Sequence, residues 1–365
     1  MKKFFTALTV ALLLVCCGCG AVRMARDEQA GGDGQTGQTG RIQQVQTVDT
    51  VMGTVLIQTL YTTDAEAGTA AEIMALLREL EEGMLSRRQD TSEVAGLNRA
   101  AGRPDGSSLS AEMEELLEGC LEMWRKSEGA FDVTLGSVVE LWDIDGWAAG
   151  EREGTFAPPE KEQLAKALEH CGSGSVEIKE GCLYLPEGME LDLGAVGKGV
   201  ALDHILAYLQ EQDGITGAII SLGGSVLTCG EKPEGGSWNV GIADPRNTAS
   251  NVGILTLEGE WFISTSGDYE RYAEAGGARY HHIIDPATGC PADSGVAGVT
   301  ILAKSGFLSD ALSTACFILG AEKGMALAED CGAEVLFVGK DGSITMSEGM
   351  KAYYVPASGS AGHRE

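Results

Sequence analysis

The sequence predicts an α+β fold, and three observations carry the prediction. Strand-like segments follow one another in antiparallel runs instead of alternating strictly with helices. The second half of the chain is richer in strands than the first. No linker composition interrupts the chain after residue 45, so the elements belong to one unit rather than to independent domains. Composition permits a large core, since 44% of the 365 residues are hydrophobic and 22% charged. That balance lies outside the regime of disordered chains.

Taken in order, Val51 to Tyr61 reads as a strand. Ala65 to Arg87 reads as a helix, with Ile73, Leu76, Leu77 and Leu80 at helical spacing. Ser110 is the N-cap candidate of a second helix, whose apolar face carries Met113, Leu116, Leu117, Cys120 and Trp124. Pro158-Pro159 opens a third helix that ends near His170. Val176–Ile178 and Leu183–Leu185 form a hairpin around Glu180-Gly181. Leu191–Leu193 is a short strand feeding a helix from about Gly197 to Gln210. Strands follow at Ala218–Ser221, Trp238–Ile242, Val252–Leu257, Trp261–Ser264, Tyr280–Ile284 and Val296–Leu302. Helices at Ser309–Leu319 and Glu322–Glu329 precede a last hairpin, Val335–Val338 with Ile344–Met346, closed by Asp341-Gly342. There is no repeat of 20–50 residues.

The N-terminus reads as a targeting segment. Lys2 and Lys3 precede an apolar run from Phe4 to Val15, which is the length of a signal-peptide core and too short for a bilayer span. The run meets Cys16-Cys17-Gly18-Cys19-Gly20, which resembles a bacterial lipoprotein signal with Cys17 or Cys19 as the acylated residue. An ordinary cleaved secretion signal is the alternative. The expected layout is a signal peptide over 1–18, a flexible tether over 19–45 and a folded domain over 46–358. No second apolar run of about 18 residues appears, so no transmembrane helix is expected. The expected location is the cell membrane, by lipid anchor, facing outside the cytoplasm.

Charge and cysteines exclude several classes. The net charge of −28, or −30 once Lys2 and Lys3 leave with the leader, repels phosphate backbones, so nucleic acid is not a partner. Beyond the leader lie Cys120, Cys171, Cys182, Cys229, Cys290, Cys316 and Cys331, with no CxxC spacing, which disfavours a zinc ribbon. Cys120 and Cys316 fall on apolar helix faces and read as buried thiols. A Cys171–Cys182 disulfide suits an exported chain without being demanded. The Gly194–Gly199 stretch lacks the spacing and hydroxyl of a Walker A loop, and Asp143-Ile144-Asp145-Gly146 lacks the later ligands of a calcium loop. There is no GxSxG and no Rossmann fingerprint.

Five blocks carry chemistry. Leu191-Asp192-Leu193-Gly194-Ala195-Val196-Gly197-Lys198 leads small residues and a cation into a helix N-terminus, where free amides attract anions; Asp192 serves equally as a cap. Asp310 and Thr314 stand one helical turn apart on one face, a hard-oxygen pair of the kind Mg²⁺ prefers, or else an N-terminal cap and a core hydroxyl. His281 and His282, two of only five histidines, alternate faces on a strand, so one of them meets a site as a base candidate. Gly223-Gly224 allows close backbone approach, and Gly129-Ala130-Phe131-Asp132 offers an aromatic surface and an acceptor.

In this order and spacing the blocks resemble the ApbE family of FAD:protein FMN transferases. The resemblance rests on Val51-Met52-Gly53-Thr54, Leu85-Ser86, Leu97-Asn98, residues 129–132, the Asp192–Lys198 block, Ser221–Gly224, Trp238–Pro245, Ser264–Tyr272, His281–Gly289 and Asp310–Thr314. It spans roughly residues 46–350. It implies a tunnelling-fold-like core of antiparallel strands with packed helices. It also implies Mg²⁺-dependent transfer of FMN from FAD to a Ser or Thr hydroxyl of an acceptor, releasing AMP. By matched position, Ala195 (through its carbonyl), Asp310 and Thr314 look like metal ligands. Met52, Ala130, Phe131, Asp132, Asp192, Lys198 and His282 look like FAD contacts, with His282 as the base and Asp310 as the second catalytic residue. Arg88 stands where many members carry an aromatic residue, and a guanidinium can also stack on a ring. The acceptors implied are subunits of membrane redox complexes of the Nqr or Rnf type. An FAD pyrophosphatase and a non-catalytic FAD-binding lipoprotein are the competing readings.

Overall fold

A computed structural model describes residues 42–63 and 68–357. The leader, Cys17, Cys19, most of the tether and position 358 lie outside the described residues. Eight strands form the central sheet: β1 (Gln43–Val51), β2 (Thr54–Thr62), β3 (Ile215–Leu222), β4 (Ser225–Gly230), β5 (Trp261–Gly267), β6 (Val296–Ala303), β7 (Glu334–Gly339) and β8 (Ile344–Met346). Their order in space is their order in the chain, and every neighbouring pair is antiparallel. The sheet is thus one meander, interrupted by insertions that carry the helices and the smaller sheets, as the α+β expectation requires.

The insertion between β2 and β3 holds α1 (Gly68–Leu80), α2 (Ala111–Lys126), α3 (Gly136–Trp142), α4 (Ile144–Ala148) and α5 (Gly197–Gln210). Between β6 and β7 runs α6 (Gly306–Asp330), broken at Gly320, whose φ of 80° is helix-incompatible. This kink separates the two helices read from the sequence. Among the described residues α6 alone has the length and apolarity of a bilayer span, yet 56% of its apolar window is buried inside the fold.

The pleat explains the core. Val296–Ala303 is buried at every position, because both faces of the sheet are covered. Val299 and Ile301 face the helices together with Phe262, Phe337 and Leu312. The intervening Leu302 joins Ile263, Leu336 and Trp238 on the other face, under the small sheet that pairs 238–244 with 247–257 and 354–356.

Several expectations are corrected. The strand read as 51–61 is a hairpin that begins at Gln43, so the last residues assigned to the tether are β1. Its turn is Met52-Gly53, both left-handed (φ 52° and 66°). The helix read over 65–87 becomes α1 plus a π-helical turn, Glu81–Leu85, with its expected first residues among those not described. Leu191–Leu193 is not a strand. Asn98, on the short helix Glu93–Arg99, pairs with both backbone groups of Leu191 (2.9 and 2.8 Å) and Val133 O accepts from Asp192 N (2.7 Å), so those groups meet a helix side chain and a loop instead of a ladder. Tyr280–Ile284 splits at His282 between two small hairpins. The seven described cysteines are free thiols, so Cys171–Cys182 does not form. Cys120 and Cys316 are buried as expected, and burial pushes both thiols up.

Candidate active site

Two glycines bring the site together. A Cβ on Gly199 would lie 2.0 Å from Gly306 O, and one on Gly306 would lie 2.1 Å from Gly199 O. Only backbone fits where α5 crosses the start of α6. Asp203, on α5, accepts from Gly306 N (2.7 Å) and Phe307 N (2.8 Å), satisfying amides that the first turn of α6 leaves open. Ser305 is the N-cap of α6, so Asp310 is not a cap. It stands in the second turn, 3% exposed.

The Asp310 carboxylate is the centre of the site. Its Oδ2 accepts from Gly199 N at 2.8 Å and its Oδ1 from Ser225 Oγ at 2.7 Å. Lys198 Nζ lies 3.5 Å from Oδ2. A buried anion thus already draws a cation to one side. Thr314 follows one turn later on the same helix, and Ala195 lies in the turn that enters α5, four residues before Gly199. Among the described residues no cluster of three or more His, Cys, Asp and Glu side chains is set to hold a metal ion. One carboxylate, a hydroxyl and a carbonyl nevertheless suit Mg²⁺, which binds through one or two carboxylates and completes its shell with water and substrate phosphates.

The 264–272 segment adds residues whose roles local pattern does not reveal. Glu270 faces the charges of Lys198, Arg271 and Asp310, and burial pushes its carboxyl up to about 7. Gly224 makes room for it, since a Cβ there would lie 2.8 Å from Glu270 Oε1. The signal was present in Gly223-Gly224, read as a place of close approach, but nothing local identified what approaches.

The two histidines take different places, with His281 ending one short strand and His282 in the link to the next. His281 is structural: its Nε2 donates to Ala292 O (3.1 Å), its Nδ1 accepts from Ile283 N (3.3 Å), and its ring meets the Phe317 edge. His282 Nδ1 lies 3.2 Å from Arg271 O, a carbonyl that can only accept. That partner places the proton on Nδ1 and leaves Nε2 an open lone pair. Burial, together with the Arg271 and Lys198 charges, holds its pKa well below the usual histidine value.

The remaining assigned residues take distinct places. Met52 donates its N–H to Glu81 Oε2 (3.0 Å), and a Cβ on Gly197 would sit 3.8 Å from its methyl, so the strained turn stands beside the start of α5. Asp192 accepts from Gly194 N (2.8 Å) and Arg87 Nε (2.7 Å), which makes it an Asx turn and an ion pair and not the cap of α5. Phe131 is 1% exposed, so its ring belongs to the core and not to the aromatic surface expected. Asp132 holds its own loop, accepting from Thr134 N, Thr134 Oγ1, Ser173 N and Ser173 Oγ. Ala130 remains half-exposed between them. Arg88 pairs with Asp145 at 3.6 Å. Two surface recesses, of about 350 Å³ near Lys340 and about 490 Å³ beside Arg99 and Arg103, are lined by other residues than this cluster.

Residues 52–337 match the model of the ApbE family. The FAD:protein FMN transferase of Treponema pallidum is 35% identical over 319 residues, covering 82% of this chain and 86% of the relative. That of Vibrio cholerae is 32% identical over 282 residues, covering 77% and 81%. Among solved structures, the ApbE protein of Thermotoga maritima superposes with a TM-score of 0.75 at 29% identity, covering 85% of this chain and 99% of that one. The flavin transferase ApbE from Vibrio cholerae gives 0.75 at 28% identity, covering 86% and 100%.

Proposed function

This chain belongs to the ApbE family, and from that premise we propose how its residues work. It is an FAD:protein FMN transferase, an enzyme that moves FMN from FAD to acceptor proteins. The finer reading is that an acceptor Ser or Thr hydroxyl attacks the FMN-side phosphorus of the FAD pyrophosphate. A new P–O bond forms to that hydroxyl, the bond to the bridging oxygen breaks, and AMP leaves. His282 Nε2 takes the hydroxyl proton, its Nδ1–H held on Arg271 O.

The carrying observation is the Asp310 carboxylate, buried and anchored on Gly199 N with Lys198 alongside. An acidic protein must reverse its own field to hold a pyrophosphate, and only local cations and amides do so. Lys198 and the α5 N-terminus supply part of that. Asp310, Thr314 and the Ala195 carbonyl would hold Mg²⁺, which when bound neutralises the phosphoryl oxygens. Met52, Ala130, Asp192 and Arg88 line the flavin side of this reading, while Phe131 and Asp132 support the loop behind it. The leader and Cys17 or Cys19 fit lipid anchoring outside the cytoplasm, next to acceptor subunits of Nqr- or Rnf-type complexes.

The test mixes the mature domain with FAD, Mg²⁺ and such an acceptor subunit. An FMN mass increment on the acceptor, with AMP release, is expected. EDTA and Asp310→Ala should each abolish it, and unchanged adduct yield in the Ala variant removes the metal assignment. Free FMN and AMP with no adduct would instead indicate a pyrophosphatase.

A further inference from the structure

The segment Asp143-Ile144-Asp145-Gly146, which starts like a calcium loop, becomes the entry to α4 with both carboxylates on guanidinium groups. Asp145 Oδ1 accepts from Arg271 Nη1 at 2.7 Å, and its Oδ2 lies 3.6 Å from Arg88 Nη2. Asp143 faces the same Arg88 at 4.0 Å and also pairs with Arg152. Arg271 in turn stands over the reacting histidine. Its carbonyl accepts from His282 N at 3.1 Å and from His282 Nδ1 at 3.2 Å.

An apolar cluster fixes the same two segments against each other. Trp142 and Ile144 are buried with Ala273 and Ile284, and Tyr280 packs on them. Trp142 Nε1 donates to Gly289 O at 2.7 Å, beyond the histidine pair. Ile144, next to Asp145, and Ala273, two residues beyond Arg271, therefore share one small core. Arg271 also lies beside Glu270, a competing carboxylate on the metal side of the site. Asp145 draws the guanidinium toward α4, and the backbone carbonyl that orients His282 is part of the residue so held.

We propose that Asp145 is a positioning residue for His282, acting through Arg271, and that Arg88 tunes this hold by sharing the same carboxylate. The proposal rests on the reading of His282 as the proton acceptor. A ring kept on Arg271 O presents Nε2 in one direction; a ring released from it spends time in the other tautomer and other rotamers.

Two readouts test it on the folded domain. In ¹⁵N-histidine-labelled protein without ligand, the His282 ring signals, assigned by their loss in His282→Gln, should report an Nδ1–H tautomer that becomes mixed in Asp145→Asn. In FMN transfer with FAD varied, Asp145→Asn should lower kcat about tenfold while KM for FAD stays within about twofold. Asp145→Glu should recover most of the loss, and Arg88→Ala should mix the ligand-free His282 tautomer to a smaller extent. Unchanged His282 signals with unchanged kcat in Asp145→Asn overturn the positioning role while leaving the base intact, provided His282→Gln is inactive. Full turnover in His282→Gln removes the base reading and this proposal with it.

Discussion

Gly199 and Gly306 meet backbone to backbone, and this one contact holds Asp310 against the N-terminal amide of Gly199, 111 residues away in sequence. Asp203 holds the same crossing from the side, through Gly306 N and Phe307 N.

Gly199→Ala places a methyl on the Gly306 carbonyl, where backbone and not a pliable side chain must give way. The expected cost is about 3 kcal/mol, the upper end of overpacking penalties. Urea unfolding measures it, and FMN transfer should fall further than stability alone explains, because Gly199 N leaves Asp310. A variant within about 0.5 kcal/mol of wild type would show that the helices separate freely.

Turnover should depend on neutral His282. Its pKa is held below the usual histidine value, first by burial and then by the Arg271 charge. A base with a lowered pKa stays competent down to that lowered value, so the acid limb of kcat/KM should fall below pH 6.5, the ordinary histidine value. Removing the neighbouring cation in Arg271→Ala favours the imidazolium, so the limb should move to higher pH. A limb that moves down, or stays, contradicts this electrostatic account.

Glu270 predicts a stability trend in the unliganded domain. Its carboxyl is raised from 4.5 to about 7, so within that window the folded state keeps a proton that the unfolded state has released. This contribution to stability is present below the window and lost as pH rises through it. Glu270→Gln should therefore flatten the decline between pH 4.5 and 7, read as the difference between variant and wild-type melting curves. Parallel curves would mean that the carboxyl titrates normally.

Gly320 carries the kink of α6 at φ 80°, and a Cβ there would lie 3.3 Å from Ser294 O. Gly320→Ala should cost about 1–3 kcal/mol, because φ 80° with ψ 176° is a backbone region essentially confined to glycine, with FMN transfer intact at temperatures below unfolding. Loss of transfer in a stably folded variant would place the kink in the working site.

Much of the architecture was legible from local pattern. Residues 197–210 show their helix at the observed boundaries, Ser110 accepts from Met113 N as its N-cap, and Asp341-Gly342 closes the last hairpin. These features depend on periodicity and turn chemistry within a few residues. Elements lacking those signals were missed. α3 and α4, of 7 and 5 residues, are too short to show a helical period. β1 lies at the sheet edge with mostly exposed side chains, and Met52-Gly53 is not a usual turn pair.

By itself the sequence determined most of the longer strands and helices, the helix carrying Lys198 and the placing of Asp310 and Thr314 one turn apart. Only the tertiary structure decided which of them meet. The places of Glu270, Arg271, Asp145 and Asp203 could not be read locally, because they come from groups on other elements: a guanidinium from a hairpin, amides from another helix, a space left by a glycine. Side-chain periodicity records which face of a segment avoids water. The partner on that face is set by how whole elements pack, and here by two glycines small enough to let two helices touch.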